Sequence, residues 1–181
     1  TTGLGDDAEV VELAVIDCAG TVLLDTLVRP NGPVPAEAAA IHGITDAMLA
    51  DAPTWSEIHE RFCGLVEGRQ VVIYSREFDA RVISQTARRY GLQAPRCFDL
   101  VHDPGSVHCA MQAYAEFHGE WSAEKGRYRR QKLSTAAQQQ GVTVENAHRA
   151  LGDCLMTLGV LRAMANGELA YNSLNEYDEN L

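Results

Sequence analysis

His148 and Asp153 place a titratable base close to a carboxylate that has no other charge around it. From 151 to 161 the chain reads Leu-Gly-Asp-Cys-Leu-Met-Thr-Leu-Gly-Val-Leu, and Asp153 is its only charged residue. Leu151, Leu155, Leu158, Leu161 and Ala165 recur at the spacing of a helix face packed on a core, and Cys154 joins them. Asp153 projects the other way, beside Met156, Thr157, Val160 and Met164. An unpartnered carboxylate removed from water costs several kcal/mol, so Asp153 must open on a solvent cleft or meet a cation. His148 stands five positions earlier, which on a regular helix is roughly 140° round and about 7.5 Å along. The two share a site only if His148 lies at the mouth of the helix, with Asn146 as N-cap. They then form a mobile base beside a fixed metal ligand; otherwise they are a capping-turn histidine and a solvated acid.

A second acid, Asp79, follows the apolar run Val71-Val72-Ile73-Tyr74, which predicts a strand covered on both faces and central in its sheet. Asp79 falls in the first turn of the next helix, whose stripe is Phe78, Val82, Thr86 and Tyr90 and whose end is Gly91. The helix dipole alone favours an acid there. The same position, just beyond a buried strand, is where α/β folds put their ligands.

These residues need a scaffold, and the patterning supplies one. The β-rich runs 10–16 and 22–28 flank the turn Asp17-Cys18-Ala19-Gly20 and predict a hairpin. Short helices follow over 36–42 and after Thr45. A longer helix is announced by Thr54 with Glu57 three residues on, a capping box, and runs to Gly68. Beyond Gly91 the pattern predicts a short strand over 98–101, a helix over 107–118, a loop over 119–130 and a polar helix over 132–140. The loop interleaves Trp121 and Tyr128 with Lys125, Arg127, Arg129 and Arg130. That mixture suits a phosphate backbone with stacked bases, and equally a solvated loop. The layout is one α/β domain over 1–166 and a peripheral acidic tail over 167–181, in which Glu168, Glu176, Asp178 and Glu179 have no basic counterpart.

The 181 residues suffice for one core, and the net charge of -10 argues against a generic DNA-coating or membrane-surface protein. It does not exclude a nuclease, because carboxylates gather divalent metals and the metal attracts the phosphate. Five scattered cysteines without a C-x-x-C pair indicate neither a disulfide framework nor a zinc ribbon, and point to a reducing cytoplasm.

Three stretches resemble one family, the DEDDh 3'-5' exonucleases, the group containing the proofreading subunit of bacterial DNA polymerase III. Ala40-Ile41-His42-Gly43-Ile44-Thr45 is similar to its HGI-type loop, Tyr74-Ser75-Arg76-Glu77-Phe78-Asp79 to its second motif, and His148 with Asp153 to its H-x4-D third motif. The resemblance implies an α/β, ribonuclease H-like fold: a mixed β-sheet flanked by α-helices on both faces. It implies Asp79 and Asp153 as ligands of two Mg²⁺ or Mn²⁺ ions, His148 as the general base activating water, and Thr1, His42 and Phe78 in contact with substrate. It further implies the 3' end of single-stranded DNA or RNA as partner, with a polymerase or other nucleic-acid enzyme as protein partner and no membrane. Two metals about 3.5–4 Å apart stabilise the attacking and leaving oxygens of a phosphodiester. Neutral imidazole takes the nucleophile's proton.

Two departures stand out. Ser75 occupies a position where the family commonly has Asn. The family's first motif reads Asp-x-Glu-Thr-Thr-Gly, whereas the chain opens on Thr1-Thr2-Gly3; the expectation is an Asp-x-Glu on an apolar strand encoded immediately upstream. Two rivals remain. One is a catalytically inactive exonuclease fold that binds nucleic acid or a partner. The other is a haloacid dehalogenase-like phosphohydrolase using Asp17, since Val15-Ile16-Asp17-Cys18-Ala19-Gly20-Thr21-Val22 resembles that family's nucleophile loop.

Overall fold

A computed structural model describes residues 1–103, 105–143 and 148–167. The chain first forms a hairpin of β1 (Glu12–Ile16) and β2 (Val22–Leu27), antiparallel with an irregularity between Val15 and Ile16. Asp17 makes its turn: Oδ1 accepts the backbone N–H of Ala19 at 2.9 Å and of Thr21 at 2.8 Å. Gly20 supplies the φ of 96° that a side chain would resist. An aspartate spent on its own turn is not poised as a nucleophile, which removes the support for the dehalogenase-like reading.

Three helices follow: α1 (Ala36–His42), α2 (Asp46–Leu49) and α3 (Trp55–Val66). The Thr54–Glu57 capping box forms at the start of α3 as the sequence predicts. Next come β3 (Val71–Ile73), α4 (Arg76–Arg89), β4 (Val107–Cys109), α5 (Ala110–His118), the two-residue strands β5 (Trp121–Ser122) and β6 (Arg127–Tyr128), α6 (Leu133–Gln139) and α7 (Ala150–Asn166).

β1 organises the layers. Its Leu13 and Val15 pack into the main core with Trp55, Ile58 and Phe62 of α3 and Val82, Ile83 and Ala87 of α4. The alternate residues face α7, where the Cys154 thiol donates to the Ala14 carbonyl and Glu12 holds the helix start. Helices thus cover both faces. On the α7 side a second core joins Tyr114, Ala136, Ala137, Met156 and Val160.

The strands carry both polarities, β1–β2 antiparallel and β3–β4 parallel, and among the described residues they form separate two-stranded pairs. Among the described residues β3 pairs with β4 alone instead of sitting centrally, and Val72 is 45% exposed between the half-buried Val71 and Ile73. An apolar run of this length satisfies a half-covered strand as well as a fully covered one, so the pattern does not separate them.

Four other expectations are corrected. A 3₁₀ turn over Arg96–Phe98 replaces the strand expected at 98–101. The first three residues of the helix expected at 107–118 form β4, because Val107, His108 and Cys109 pair in register with Val71, Val72 and Ile73. The loop at 119–130 contains the β5–β6 hairpin. On α7 the buried residues are Met156, Thr157 and Val160, the face that carries Asp153, while Leu155 is 46% exposed. A helix apolar all round gives no periodic signal to say which stripe is inward. Gly159 lets α7 approach the preceding segment, since a Cβ there would stand 2.6 Å from Val142 Cγ1. The expected N-cap Asn146 and the tail beyond Gly167 lie outside the described residues; Arg149 occupies the N-cap position of α7. Among the described residues no helix is long and apolar enough to cross a membrane.

Candidate active site

Asp79 sits at the fourth position of α4, where its N–H donates to the Ser75 carbonyl at 3.1 Å and the strand–helix junction leaves it half-buried. Its carboxyl is pushed up to about 6, first by burial and then by the negative charge of Asp153. Asp153, in the first turn of α7, is likewise raised, first by burial, with Glu12 adding and His148 opposing. Two acids far apart in sequence are thus electrostatic neighbours in a poorly solvated place, and the Asp153 charge makes Asp79 harder to ionise.

His148 precedes α7, exposed, as its mouth-of-helix position predicts. Its backbone N–H donates to Asp153 Oδ1 at 3.2 Å. Among the described residues it is the only non-glycine with positive φ, 69°. That conformation costs a bulky residue about 1 kcal/mol, and strain of this kind concentrates at functional positions.

His42 closes α1. Nδ1 accepts the Ile44 N–H at 3.1 Å, so Nε2 carries the proton and donates to the Thr1 carbonyl at 3.1 Å. Burial lowers its pKa and favours the neutral ring. The Thr1 backbone nitrogen lies near the carboxylates of Glu12 and Asp79. Thr1, His42, Asp79, Asp153 and His148 accordingly form one neighbourhood. Phe78, next to Asp79 in sequence, is half-buried against the main core with the Arg81 guanidinium 5.5 Å from its ring centroid.

Two residues escaped the sequence reading. Glu12, whose side chain is 9% exposed, takes Arg149 Nη2 at 2.6 Å and Nε at 2.9 Å, and its other oxygen accepts the Ala150 N–H at 2.8 Å. The carboxylate thereby ties β1 to the start of α7 and fixes the segment between His148 and Asp153. A sequence signal existed: Glu12 interrupts the apolar run Val10-Val11-Glu12-Leu13-Ala14-Val15, where an unpaired acid would not be tolerated. Arg149→Ala leaves Glu12 with one partner, and we expect a loss of about 2 kcal/mol in urea unfolding, reduced because Arg149 is 40% exposed. An unchanged midpoint would mean the tie is ornamental.

The donor set fits a hard divalent cation. Magnesium is commonly held by one or two carboxylates together with substrate phosphates, and Asp79 and Asp153 offer two that repel each other without a cation. Among the described residues no group of three or more His, Cys, Asp or Glu is gathered, and the two acids offer a pair of carboxylates for an ion.

The exonuclease family profile, RNase_T, matches residues 1–161. The chain belongs to that exonuclease family. Over 171 residues it is 50% identical to an uncharacterized exonuclease, CP81, of Escherichia phage 186, covering 94% of this chain and 87% of the relative. It is 29% identical over 168 residues to exodeoxyribonuclease 10 of Escherichia coli K12, covering 92% of this chain and 66% of that protein. A DNA polymerase III subunit epsilon-like protein of Rhodobacter capsulatus is 34% identical over 169 residues, but the match spans only 21% of that longer protein. A solved structure of exonuclease X in complex with 5' overhanging duplex DNA superimposes with a TM-score of 0.65 at 26% identity, covering 93% of this chain and 88% of that one. The exonuclease resemblance and the ribonuclease H-like fold are both borne out, and the protein is a nuclease-type hydrolase.

Proposed function

We propose that the exonuclease removes nucleotides from the 3' end of DNA, with a divalent metal held by Asp79 and Asp153 and with His148 as general base. The observation that carries this reading is the approach of two half-buried acids, Asp153 raising Asp79, with His148 bonded through its backbone to Asp153. DNA is favoured over RNA by the relatives named for deoxyribonuclease and DNA polymerase activity.

A divalent ion held by Asp79 and Asp153 would supply neutralisation of phosphate charge and activation of water. The chain's own part is positional. Asp153 fixes the backbone of His148 through the 3.2 Å bond, and the Glu12–Arg149 tie fixes the helix start between them. The His148 imidazole accepts the proton of the attacking water as the new oxygen–phosphorus bond forms and the bond to the 3' oxygen breaks. His42, held neutral, orients Thr1 through Nε2–H beside the acids.

The test is digestion of a 5'-labelled single-stranded oligonucleotide. A ladder shortened from the 3' end with Mg²⁺ or Mn²⁺, abolished by EDTA, is expected. Release of the 5' label as a mononucleotide would overturn the polarity, and full activity in EDTA would overturn the metal. Binding without cleavage under every metal condition would favour the inactive-module reading.

A further inference from the structure

The β5–β6 hairpin and the segment after it stand apart from the rest of the molecule in charge and in aromatic exposure. Residues 121–132 hold five of the chain's fifteen basic residues and a single acid, Glu124, within a protein of net charge -10. Lys125, Arg127, Arg130 and Lys132 are exposed, and among the described residues no ion pair holds them; Arg129 pairs with Glu120 at 3.1 Å. Trp121 and Tyr128 are opposite each other in the strand register, hence on one face, with ring centroids 5.2 Å apart and planes at 82°. Trp121 is nonetheless 57% exposed, whereas the other tryptophan, Trp55, is fully buried. An indole held edge-to-face by a tyrosine and left uncovered keeps a ring face free for a partner.

The hairpin is not remote from the acids. The Tyr74 hydroxyl, five residues before Asp79, donates to the Gln131 carbonyl at 2.9 Å and ties the end of the hairpin to the strand–helix junction. Arg130 is near enough to Glu77, in the first turn of α4, to act on its carboxylate.

We propose that this hairpin is a binding surface for single-stranded DNA. A base stacks on Trp121 and Tyr128, and Lys125, Arg127, Arg130 and Lys132 receive the phosphates of the strand whose end enters the acid-lined site. Exposed aromatics in a cationic setting are the pattern by which proteins hold single strands without reading sequence. The inference rests on the exonuclease reading for the direction in which the strand runs, and binding itself is measurable without turnover.

The experiment uses the full chain in EDTA, where cleavage does not interfere, and a 5'-fluorescein dT20 followed by anisotropy and by quenching of intrinsic tryptophan emission. Since Trp55 is buried, quenching reports Trp121. Trp121→Leu should weaken binding about 5- to 100-fold and abolish the quenching. Arg127→Ala with Arg130→Ala should lower the salt dependence, the slope of log affinity against log salt, by roughly 0.7 for each arginine. Arg88→Ala, at the far end of α4, should change neither, and melting curves for all variants confirm folding. Unaltered affinity and quenching in both hairpin variants would overturn the proposal. So would rU20 bound ten times more tightly than dT20. Failure of the nuclease reading would appear separately, as hairpin-dependent binding with no metal-dependent cleavage.

Discussion

In metal-free buffer at pH 7.5, Asp79→Asn protein should melt at a higher temperature than the parent, and with Mg²⁺ it should degrade DNA far more slowly. The stability gain follows from linkage. The folded carboxyl is raised to about 6 from the ordinary 3.8, first by burial and then by Asp153, so the folded state resists ionising it. Below about pH 3.8 the group is protonated folded or unfolded and costs nothing. Through the window from 3.8 to about 6 the unfolded chain releases the proton and the folded chain does not, and the penalty grows; above about 6 it is fully present. Two pH units correspond to nearly ~3 kcal/mol, and partial solvent access brings the expected gain to about 2 kcal/mol. In a domain of this size that is a shift of roughly 4–8 °C. The gain should fade as pH falls toward 4. Saturating Mg²⁺ should stabilise the parent and leave the variant nearly unmoved, reversing the order of the two. Loss of a metal-held charge worth several kcal/mol in the transition state predicts a rate lower by ~10³-fold or more. Melting curves at pH 4 and 7.5, with and without Mg²⁺, check the stability half, and single-turnover digestion with Mg²⁺ checks the rate. A variant less stable than the parent in EDTA would show that Asp79 is an ordinary structural acid.

Replacing His148 should separate chemistry from metal binding. If the imidazole accepts the proton of the attacking water, His148→Ala and His148→Asn should each lower the single-turnover rate by roughly 10²–10⁴-fold. Metal affinity, measured calorimetrically, should hold because Asp79 and Asp153 are untouched. The two variants differ in a way the backbone dictates. With φ at 69° the position favours residues that tolerate the left-handed region, and Asn is among them while Ala is not. His148→Ala should therefore also lose about 1 kcal/mol of stability and His148→Asn much less. Equal rate losses with unequal stabilities would assign the effect to the imidazole. Rate losses that track stability would assign it to the bend entering α7. A fully active, stable His148→Asn protein would remove the residue from the mechanism.

Much of this protein was legible without coordinates. The hairpin around Asp17-Gly20, the Thr54–Glu57 cap, the end of α1 at Gly43 and the start of α4 after the apolar run all depend on interactions among residues within a few positions of each other. Local spacing carries such information directly. The fold class and exonuclease family also followed from sequence, because motifs spaced along most of the chain reflect one fixed topology. Tertiary structure decided the rest. α7 is apolar on every side, so only its packing on Tyr114, Ala136 and Ala137 turned the Asp153 face inward and left Leu155 outside. β4 hid within a helical-looking stretch because a three-residue strand is created by its partner β3. Glu12 met Arg149 across most of the length of the chain, and no local pattern encodes such a meeting. The raised carboxyl of Asp79 has the same origin: burial and a distant like charge exist only once the chain has closed on itself, whereas residue type and spacing are present from the start.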